Sequence, residues 1–347
     1  MAKSRRNVSR RKNNKRKNHK SLKRRNSRNN FRKMSGGGEG NIDIKKIYDK
    51  LVADGFYENI YLKVCNKIQK DNTITIPDFC ESRISGLNKN SVVAGFELYI
   101  SPCRIGRKSQ YCSKQVINCS IEDNMQKCPL CSILDNNTIN PCFALNAKII
   151  TPLQTIFLLV PNAYPYLDNQ FLITTKTHFK QMDVINDNID ILFQIFLNLL
   201  TIDRDVIFFN GICGNSLEHF HCQYTTSVFP IFTSLTKENS GFYEFSYFRG
   251  YVLNTSNYTD ILGLITKIID NDFTYNFIVR KIDDNTLQFV FFIRKCIVYN
   301  IPDLNFGATE LSGIIVGSTS EDLSVFTEDN IMEYINQTNS KDNYNIV

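Results

Sequence analysis

The chain of 347 residues is poor in histidine and in long apolar runs, and its first 34 residues contain no acidic side chain. It has no uninterrupted apolar stretch of about 18 residues, so neither a membrane span nor a membrane partner is predicted. The N-terminal stretch lacks the apolar centre of a secretory signal, and its density of charge disfavours a transit peptide. The expected location is therefore inside the cell, in the cytoplasm or the nucleus.

The same N-terminal stretch is strongly basic. Residues 1–34 hold 16 of the 41 Lys and Arg residues, which leaves 25 elsewhere against 34 Asp and Glu, a net charge of −9 for the remainder. Such an arm cannot bury enough apolar surface to offset its chain entropy, so residues 1–40, with a glycine-rich hinge at 35–40, are predicted to be disordered. Residues 3–33 favour nonspecific, salt-dependent binding of nucleic acid, with a solubilising tail or a localisation signal as the alternatives.

The eleven cysteines indicate a reducing compartment, because their number is odd and no secretion signal accompanies them. Two of them, Cys128 and Cys131, have the spacing of metal ligands. Taken alone, this pair is equally well interpreted as two buried structural thiols. Cys103, Cys112 and Cys119 are interpreted as core thiols, and a competing metal set with the first pair is the alternative.

Hydrophobic spacing beyond the hinge alternates between strand and helix patterns. Helices are predicted at 42–54, 184–202, 257–270 and 327–337, the last one after a capping sequence. Strands are predicted at 93–99, 115–118, 143–150, 154–161, 170–175, 206–209, 242–248, 274–280 and 287–294, with a hairpin between the third and fourth. These elements predict an α+β fold with a largely antiparallel sheet and flanking helices.

The most informative segment runs from Phe208 to Gln223. It contains a short apolar strand, a loop of Gly, Asn and Ser, and then His219, His221 and Gln223 at alternate positions. Alternation is the side-chain period of a strand, so the two imidazoles and the amide are predicted to share one face. Beside a loop that offers backbone N–H groups, this set suits chemistry on a phosphate. A solvated strand face without catalysis is the alternative.

The order of these motifs resembles the histidine-triad (HIT-like) superfamily, in the branch of galactose-1-phosphate uridylyltransferase, dinucleoside polyphosphate phosphorylases and GDP-hexose phosphorylases. That branch shares a Cys-x-x-Cys pair, an Asn-x-x-Pro loop, a strand that ends near a histidine, a helix, and a His-x-His-x-Gln segment. The corresponding segments here are 128–131, 162–165, 170–178, 184–202 and 219–223. The resemblance covers most of 125–337. It implies a HIT/GalT-like fold in which 41–233 is the catalytic half and 234–347 the C-terminal half.

This resemblance implies a nucleotidyltransferase or a nucleotide phosphorylase that acts on a nucleoside diphosphate sugar or a dinucleoside polyphosphate. His221 would be the nucleophile of a nucleotidyl-histidine intermediate, because imidazole is partly neutral near neutral pH and leaves well when protonated. Gln223 would bind a non-bridging phosphate oxygen and favours transfer over hydrolysis. The other phosphate- or nucleotide-binding candidates are Asn210, Gly214, Asn215, Ser216, Arg294 and Lys295. The alternatives are ordinary strand-surface charges for the last two and plain turn residues for Asn210 and Ser216.

The resemblance also implies one structural zinc ion. Its ligands would be Cys128, Cys131, His178 and His219. Two cysteines and two histidines form a closed four-coordinate set, which is typical of a structural rather than a catalytic zinc. Relatives often pair their sheets into dimers, so a homodimer is a further expectation.

Two other functions stay open from the sequence. The first is a catalytically degenerate HIT-fold protein that binds nucleic acid through its basic arm, as a chromatin-associated component or one packaged in a virion. The second is a HIT-type hydrolase that acts on nucleic-acid ends, a role that Gln223 disfavours because such hydrolases usually carry a third histidine there.

Overall fold

In a computed structural model of the protein, the described residues lie within one compact unit, Asn41–Val347. The structure describes residues 88–93, 95–100, 128, 130–131, 143–148, 156–162, 166–214, 217–245, 248–296, 306–317 and 323–347. The predictions that lie outside these ranges are the arm and hinge at 1–40, the helix at 42–54, the strand at 115–118, Cys103, Cys112, Cys119, Asn215 and Ser216. The nucleic-acid binding assigned to residues 3–33 therefore stays a prediction.

The described elements begin with five strands, and helices are interspersed among the later strands. In the N-terminal part they are β1 (Asn88–Val93), β2 (Phe96–Ile100), β3 (Phe143–Lys148), β4 (Ile156–Pro161), β5 (Phe171–Thr175), α1 (Gln181–Leu199), β6 (Val206–Asn210) and β7 (His221–Thr225). They continue with α2 (Pro230–Ser234), β8 (Gly241–Phe245), β9 (Phe248–Thr255), α3 (Tyr258–Asp270), β10 (Thr274–Lys281), β11 (Leu287–Arg294), α4 (Ala308–Leu311), β12 (Ile314–Gly317) and α5 (Glu328–Thr338). A 3₁₀ turn at Lys341–Tyr344 follows.

Nine of these strands form one sheet in the order β3-β4-β5-β7-β6-β10-β11-β9-β8. Every pairing between neighbours in it is antiparallel. A second sheet has the order β1-β2-β12, and its β2–β12 pairing is parallel. The predicted α+β fold with a largely antiparallel sheet and flanking helices is confirmed.

The large sheet is covered on both faces, which explains why its central strands are apolar along their whole length. All eight residues of β11 are buried. On β6, Phe209 packs in the cluster that contains the apolar residues of α1 and α3, while Phe208 packs in the cluster of α5 and β12. Adjacent side chains of a strand point to opposite faces, so two cores form on either side of one sheet.

Most predicted elements lie within a few residues of the observed ones. The hairpin of β3 and β4 pairs Phe143 with Leu159 as expected. The helix predicted at 184–202 begins earlier, at Gln181, and the last helix begins after Thr327, whose hydroxyl accepts from the Asn330 N–H. His219 lies just before β7, in an isolated bridge with Lys180, rather than within the strand.

The candidate site lies where four central strands begin or end. β6 ends at Asn210 and β7 starts at His221, while β10 starts opposite the end of β11, with Thr274 paired to Arg294. The register pairs Gln223 with Phe208, so the β7 face that bears Gln223 and His221 belongs to the α5 and β12 side of the sheet. Among the described helices, none has the length and apolar character needed to cross a bilayer.

Candidate functional site

Four side chains converge beside the start of β7. Cys128, Cys131, His178 and His219 each place one ligand atom within 4.8 Å of the others. Cys131 Sγ lies 3.2 Å from His178 Nδ1 and 3.3 Å from His219 Nδ1. Cys128 Sγ lies 3.6 Å from His219 Nδ1. Two sulfurs and two imidazole nitrogens at these separations could hold a four-coordinate metal ion, so the structure brings together the predicted ligand set.

Backbone contacts orient His219 toward this group. Its Nε2 lies 2.9 Å from the Thr175 carbonyl oxygen, to which it donates. With the proton on Nε2, Nδ1 directs its lone pair toward the sulfurs, as in ligating histidines held by a carbonyl behind them. Burial lowers the pKa of His219 to about 4, although the Thr175 hydrogen bond opposes this shift. The imidazole is therefore neutral near neutral pH, as a metal ligand has to be.

His221 is held in a defined tautomer. Its side chain is 5% exposed, and its Nδ1 lies 2.9 Å from the His219 carbonyl oxygen. A carbonyl oxygen can only accept, so in the neutral imidazole Nδ1 carries the proton and Nε2 is the unprotonated nitrogen. The geometry suits a nucleophile, because the nitrogen with the lone pair is on the ring edge opposite the backbone contact.

Gln181, the first residue of α1, fixes the backbone that carries this histidine. Its Oε1 accepts from the His221 N–H at 2.8 Å, and its Nε2 donates to the His221 carbonyl oxygen at 2.7 Å. The same Nε2 donates to the Asn210 carbonyl oxygen at 2.9 Å. One buried amide thus joins the start of β7 to the end of β6, and it sets where His221 lies relative to the loop after Asn210.

Gln170 fixes the amide of Gln223 in the same way. Gln170 Oε1 accepts from the Tyr166 N–H at 2.8 Å, which leaves its Nε2 to donate to Gln223 Oε1 at 2.6 Å. Because the Gln223 oxygen is engaged, its Nε2 donors are the atoms of this amide that can meet a phosphate oxygen. The amide therefore presents hydrogen-bond donors on the strand face that also bears His221.

Residues 210–214, at the start of the connection from β6 to β7, are held by contacts with other segments. Asn210 Oδ1 accepts from the Ala308 N–H at 2.6 Å, and the Gly211 N–H donates to Asn276 Oδ1 at 2.9 Å. Gly214 has a φ of 100°, and a Cβ there would lie 2.9 Å from Gly307 Cα. Both the left-handed backbone and the close approach require glycine at this position. Gly214 thus lies directly against Gly307, the residue before α4.

Arg294 ends β11 and Lys295 follows it, and the two side chains have different surroundings. Arg294 is 2% exposed; one of its Nη atoms donates to the Phe306 carbonyl oxygen and the other donates to the Tyr334 hydroxyl at 2.6 Å. Lys295 is exposed, with Nζ 5.5 Å from the centroid of the Phe273 ring. A buried guanidinium has to satisfy its donors. Both Nη atoms of Arg294 do so within the fold, whereas its buried Nε has no hydrogen-bond partner among the described residues. Phosphate contacts by either residue stay predictions.

Three positioning residues of the site were missed by sequence reasoning: Gln170, Gln181 and Asn276. Each acts across a long sequence separation, on Gln223, His221 and Gly211 respectively. The sequence marks such residues in one way: each is a polar residue within an otherwise apolar strand or on the buried face of a helix. That signal indicates a buried hydrogen bond but not its partner.

No family model and no curated protein matches the chain. Among solved structures, it is similar to yeast Ap4A phosphorylase Apa2. The complex with Ap4A matches at 15% identity and a TM-score of 0.46, over 81% of this chain and 97% of that one. The complex with AMP matches at 15% identity and a TM-score of 0.46, over 73% and 88%. A third structure of the same enzyme matches at 13% identity and a TM-score of 0.45, over 73% of this chain and 89% of that one.

Proposed function

We propose that the protein is a nucleotidyltransferase or a nucleotide phosphorylase that works through a nucleotidyl-histidine intermediate on His221. The substrate class is a dinucleoside polyphosphate or a nucleoside diphosphate sugar. The observation that carries the proposal is the hydrogen bond between His221 Nδ1 and the His219 carbonyl oxygen, which makes Nε2 the nucleophilic nitrogen. Gln223 lies two residues along the same strand face with its amide nitrogen as donor.

The proposed reaction has two displacements. His221 Nε2 attacks the α-phosphorus, an N–P bond forms, and the bond from phosphorus to the bridging oxygen breaks, so that the remaining nucleotide or sugar phosphate leaves with the electron pair. An oxygen of the acceptor, orthophosphate or a sugar phosphate, then attacks the same phosphorus and releases His221. The Gln223 donors contact a non-bridging oxygen, whose negative charge they stabilise during both displacements.

Zinc is the metal that we propose for Cys128, Cys131, His178 and His219. Thiolate and imidazole donors in equal number suit zinc, and a closed set of four protein ligands leaves no position for a substrate. When bound, the ion would supply a cross-link and no chemistry of the reaction. The residues themselves hold the segment before β7, and His219 provides the carbonyl that orients the nucleophile.

Intact-mass spectrometry after brief incubation tests the proposal. The purified full chain is mixed with Ap4A, a UDP-hexose or a GDP-hexose, and spectra are recorded without acid, because protonated imidazole is a good leaving group. A mass increase of one nucleotidyl group is expected with at least one donor, and its size names the nucleotide. If every donor leaves the mass of the zinc-loaded protein unchanged, the proposal fails and the catalytically degenerate alternative is favoured.

Gln170→Glu is expected to weaken nucleotide binding by about tenfold. The carboxylate still accepts from the Tyr166 N–H, but it can no longer donate to Gln223 Oε1. The Gln223 amide then turns its nitrogen toward residue 170 and its oxygen toward the bound phosphate. Calorimetric titration with AMP measures the loss, and Gln170→Glu/Gln223→Glu serves as a reference for a site without that donor. Equal affinity in Gln170→Glu and wild type would contradict the role of this pair.

Gln181→Met is expected to slow adduct formation by roughly 10- to 100-fold while the protein keeps its metal. Methionine fills a similar volume but makes none of the three hydrogen bonds to the backbone of His221 and Asn210. Unfolding should also become easier by about 1–3 kcal/mol, because buried backbone groups lose their partners. Gln181→Glu restores the acceptor for the His221 N–H alone, so a rate between those of Gln181→Met and wild type is expected. A wild-type rate in Gln181→Met would overturn the positioning role.

A further inference from the structure

A pair of cysteines links the loop after β6 to the end of β11. Cys213 and Cys296 form a disulfide with a Cα–Cα separation of 5.6 Å across 83 residues of sequence. This separation is within the normal range for disulfides. Cys213 lies between Gly211, whose N–H is bonded to Asn276, and Gly214, which closes the loop against Gly307. The bridge therefore attaches to the segment 211–214, which contains Gly214, one of the candidate phosphate contacts.

The two cysteines differ in how the neighbouring backbone is held and in solvent exposure. Cys296 is exposed, and the residue before it is anchored because the Lys295 N–H donates to the Thr338 carbonyl oxygen at 2.8 Å. Cys213 is 8% exposed. The three other cysteines in the described part of the chain are buried thiols, of which Cys128 and Cys131 belong to the metal-ligand group. A soluble thiol reagent would therefore reach Cys296 before any of them.

We propose that Cys213 and Cys296 form a reversible disulfide that holds the loop Gly211–Gly214 against the end of β11, so that the order of this loop follows the thiol–disulfide balance around the protein. In the bridged state the loop is fixed at Asn210, at Gly211 and at Cys213. In the reduced state the middle attachment is lost, and the exposed loop residue Ile212 moves with fewer constraints.

A low-molecular-weight disulfide such as oxidised glutathione is the proposed oxidant. The Cys296 thiolate attacks one of its sulfurs, the reagent S–S bond breaks, and one glutathione thiolate leaves. The Cys213 thiolate then attacks the Cys296 sulfur of the mixed disulfide, forms the protein S–S bond and displaces the second glutathione thiolate. Two protein thiols are oxidised, one glutathione disulfide is reduced to two thiols, and the two protons pass to the glutathione thiolates.

One consequence rests on the proposed function. If the loop contacts the phosphates, the bridged protein binds AMP about three- to tenfold more tightly than the reduced protein, because a fixed loop loses less conformational freedom on binding. Formation of the bridge itself is independent of any ligand. The reversible disulfide and its effect on AMP binding can therefore be disproved separately.

The test uses the full-length, zinc-loaded chain and its Cys296→Ser variant in glutathione buffers of graded redox ratio. Thiols are trapped by alkylation, and the peptide that joins residues 213 and 296 is quantified by mass spectrometry. Hydrogen exchange of the 211–214 amides is then measured in the two extreme buffers. We expect the cross-link to form in oxidising glutathione buffers and to disappear in reducing ones. In the wild type, the 211–214 amides should exchange at least about fivefold more slowly in the bridged than in the reduced state. Cys296→Ser should exchange alike in both buffers.

Three results would overturn the inference: no cross-link at any ratio, a cross-link that reduced glutathione cannot remove, or a cross-link that leaves loop exchange unchanged. Zinc content is followed throughout, because oxidation of Cys128 or Cys131 would release the metal. Zinc loss would therefore distinguish oxidation of the metal ligands from formation of the proposed bridge. A reversible cross-link with slower exchange, in a protein that binds no AMP in either state, would support the inference and count against the proposed function instead.

Discussion

Replacing His221 with alanine is expected to abolish the nucleotidyl adduct and to lower turnover by at least about 1,000-fold, because His221 supplies the attacking nitrogen of the proposed covalent step. His221 alone on its strand face combines an imidazole with a fixed tautomer, and the neighbouring His219 directs its Nδ1 to the cysteine sulfurs. The variant should keep its fold. The hydrogen bond from the ring to the His219 carbonyl oxygen, which is lost in the variant, contributes about 1 kcal/mol.

The matched control is His19→Ala, which removes a histidine from the basic arm and is expected to form the adduct at the wild-type rate. Zinc content and the thermal midpoint of both variants show whether a lost adduct reflects lost chemistry or lost structure. Turnover that survives in His221→Ala would point to direct attack by the acceptor on the donor. The stereochemistry at phosphorus separates the two routes without any variant, because two in-line displacements retain the configuration and a single one inverts it.

The parts of this site that the sequence predicts are those with a local signal. The apolar run of β6, the alternation of His221 and Gln223, and the helical spacing of α1 each depend on neighbours within one element, so the pattern reveals them. The metal-ligand set joins separate segments, and it is the family resemblance that implies it. Cys131 Sγ indeed lies within 3.3 Å of both histidine Nδ1 atoms.

The parts that sequence reasoning missed depend on register between distant strands. Gln170 meets Gln223 because β5 pairs with β7, and Asn276 meets Gly211 because β10 pairs with β6. No periodicity within either strand encodes which residue of the partner lies opposite. The parallel pairing of β2 with β12 is a more distant case of the same kind.

Arg294 shows a related limit of local patterns. The sequence shows a cation at the end of an apolar strand, but not that its guanidinium donates to the Phe306 carbonyl oxygen and the Tyr334 hydroxyl. Sequence spacing indicates that a charge is close to the site, whereas the side-chain direction depends on the segments that pack over the strand. The same reasoning explains why the pairing of Cys213 with Cys296 could not be chosen among eleven cysteines.

The second large effect is expected at the metal-ligand group. Wild-type protein should contain one zinc per chain, while Cys131→Ser should contain almost none and unfold about 10 °C lower. Cys131 is the decisive ligand to remove, because its sulfur is the one that lies within 3.3 Å of both histidine Nδ1 atoms. Cys296→Ser is the matched control, since it removes an exposed cysteine outside the ligand group and should keep the zinc.

Loss of the metal is also expected to slow adduct formation by about 10- to 100-fold, as is common when the groups that orient a functional histidine are disturbed. The reason is short-range: the carbonyl that fixes the His221 tautomer belongs to His219, one of the four ligands. Chelation of the zinc should therefore slow adduct formation in the wild-type protein, and added zinc should restore the rate. Added zinc should not restore the rate of Cys131→Ser. If wild-type protein holds no zinc, or if Cys131→Ser keeps both its thermal midpoint and its rate, the cysteines are buried structural thiols. The orientation of His221 would then depend on Gln181 and the β5–β7 register alone.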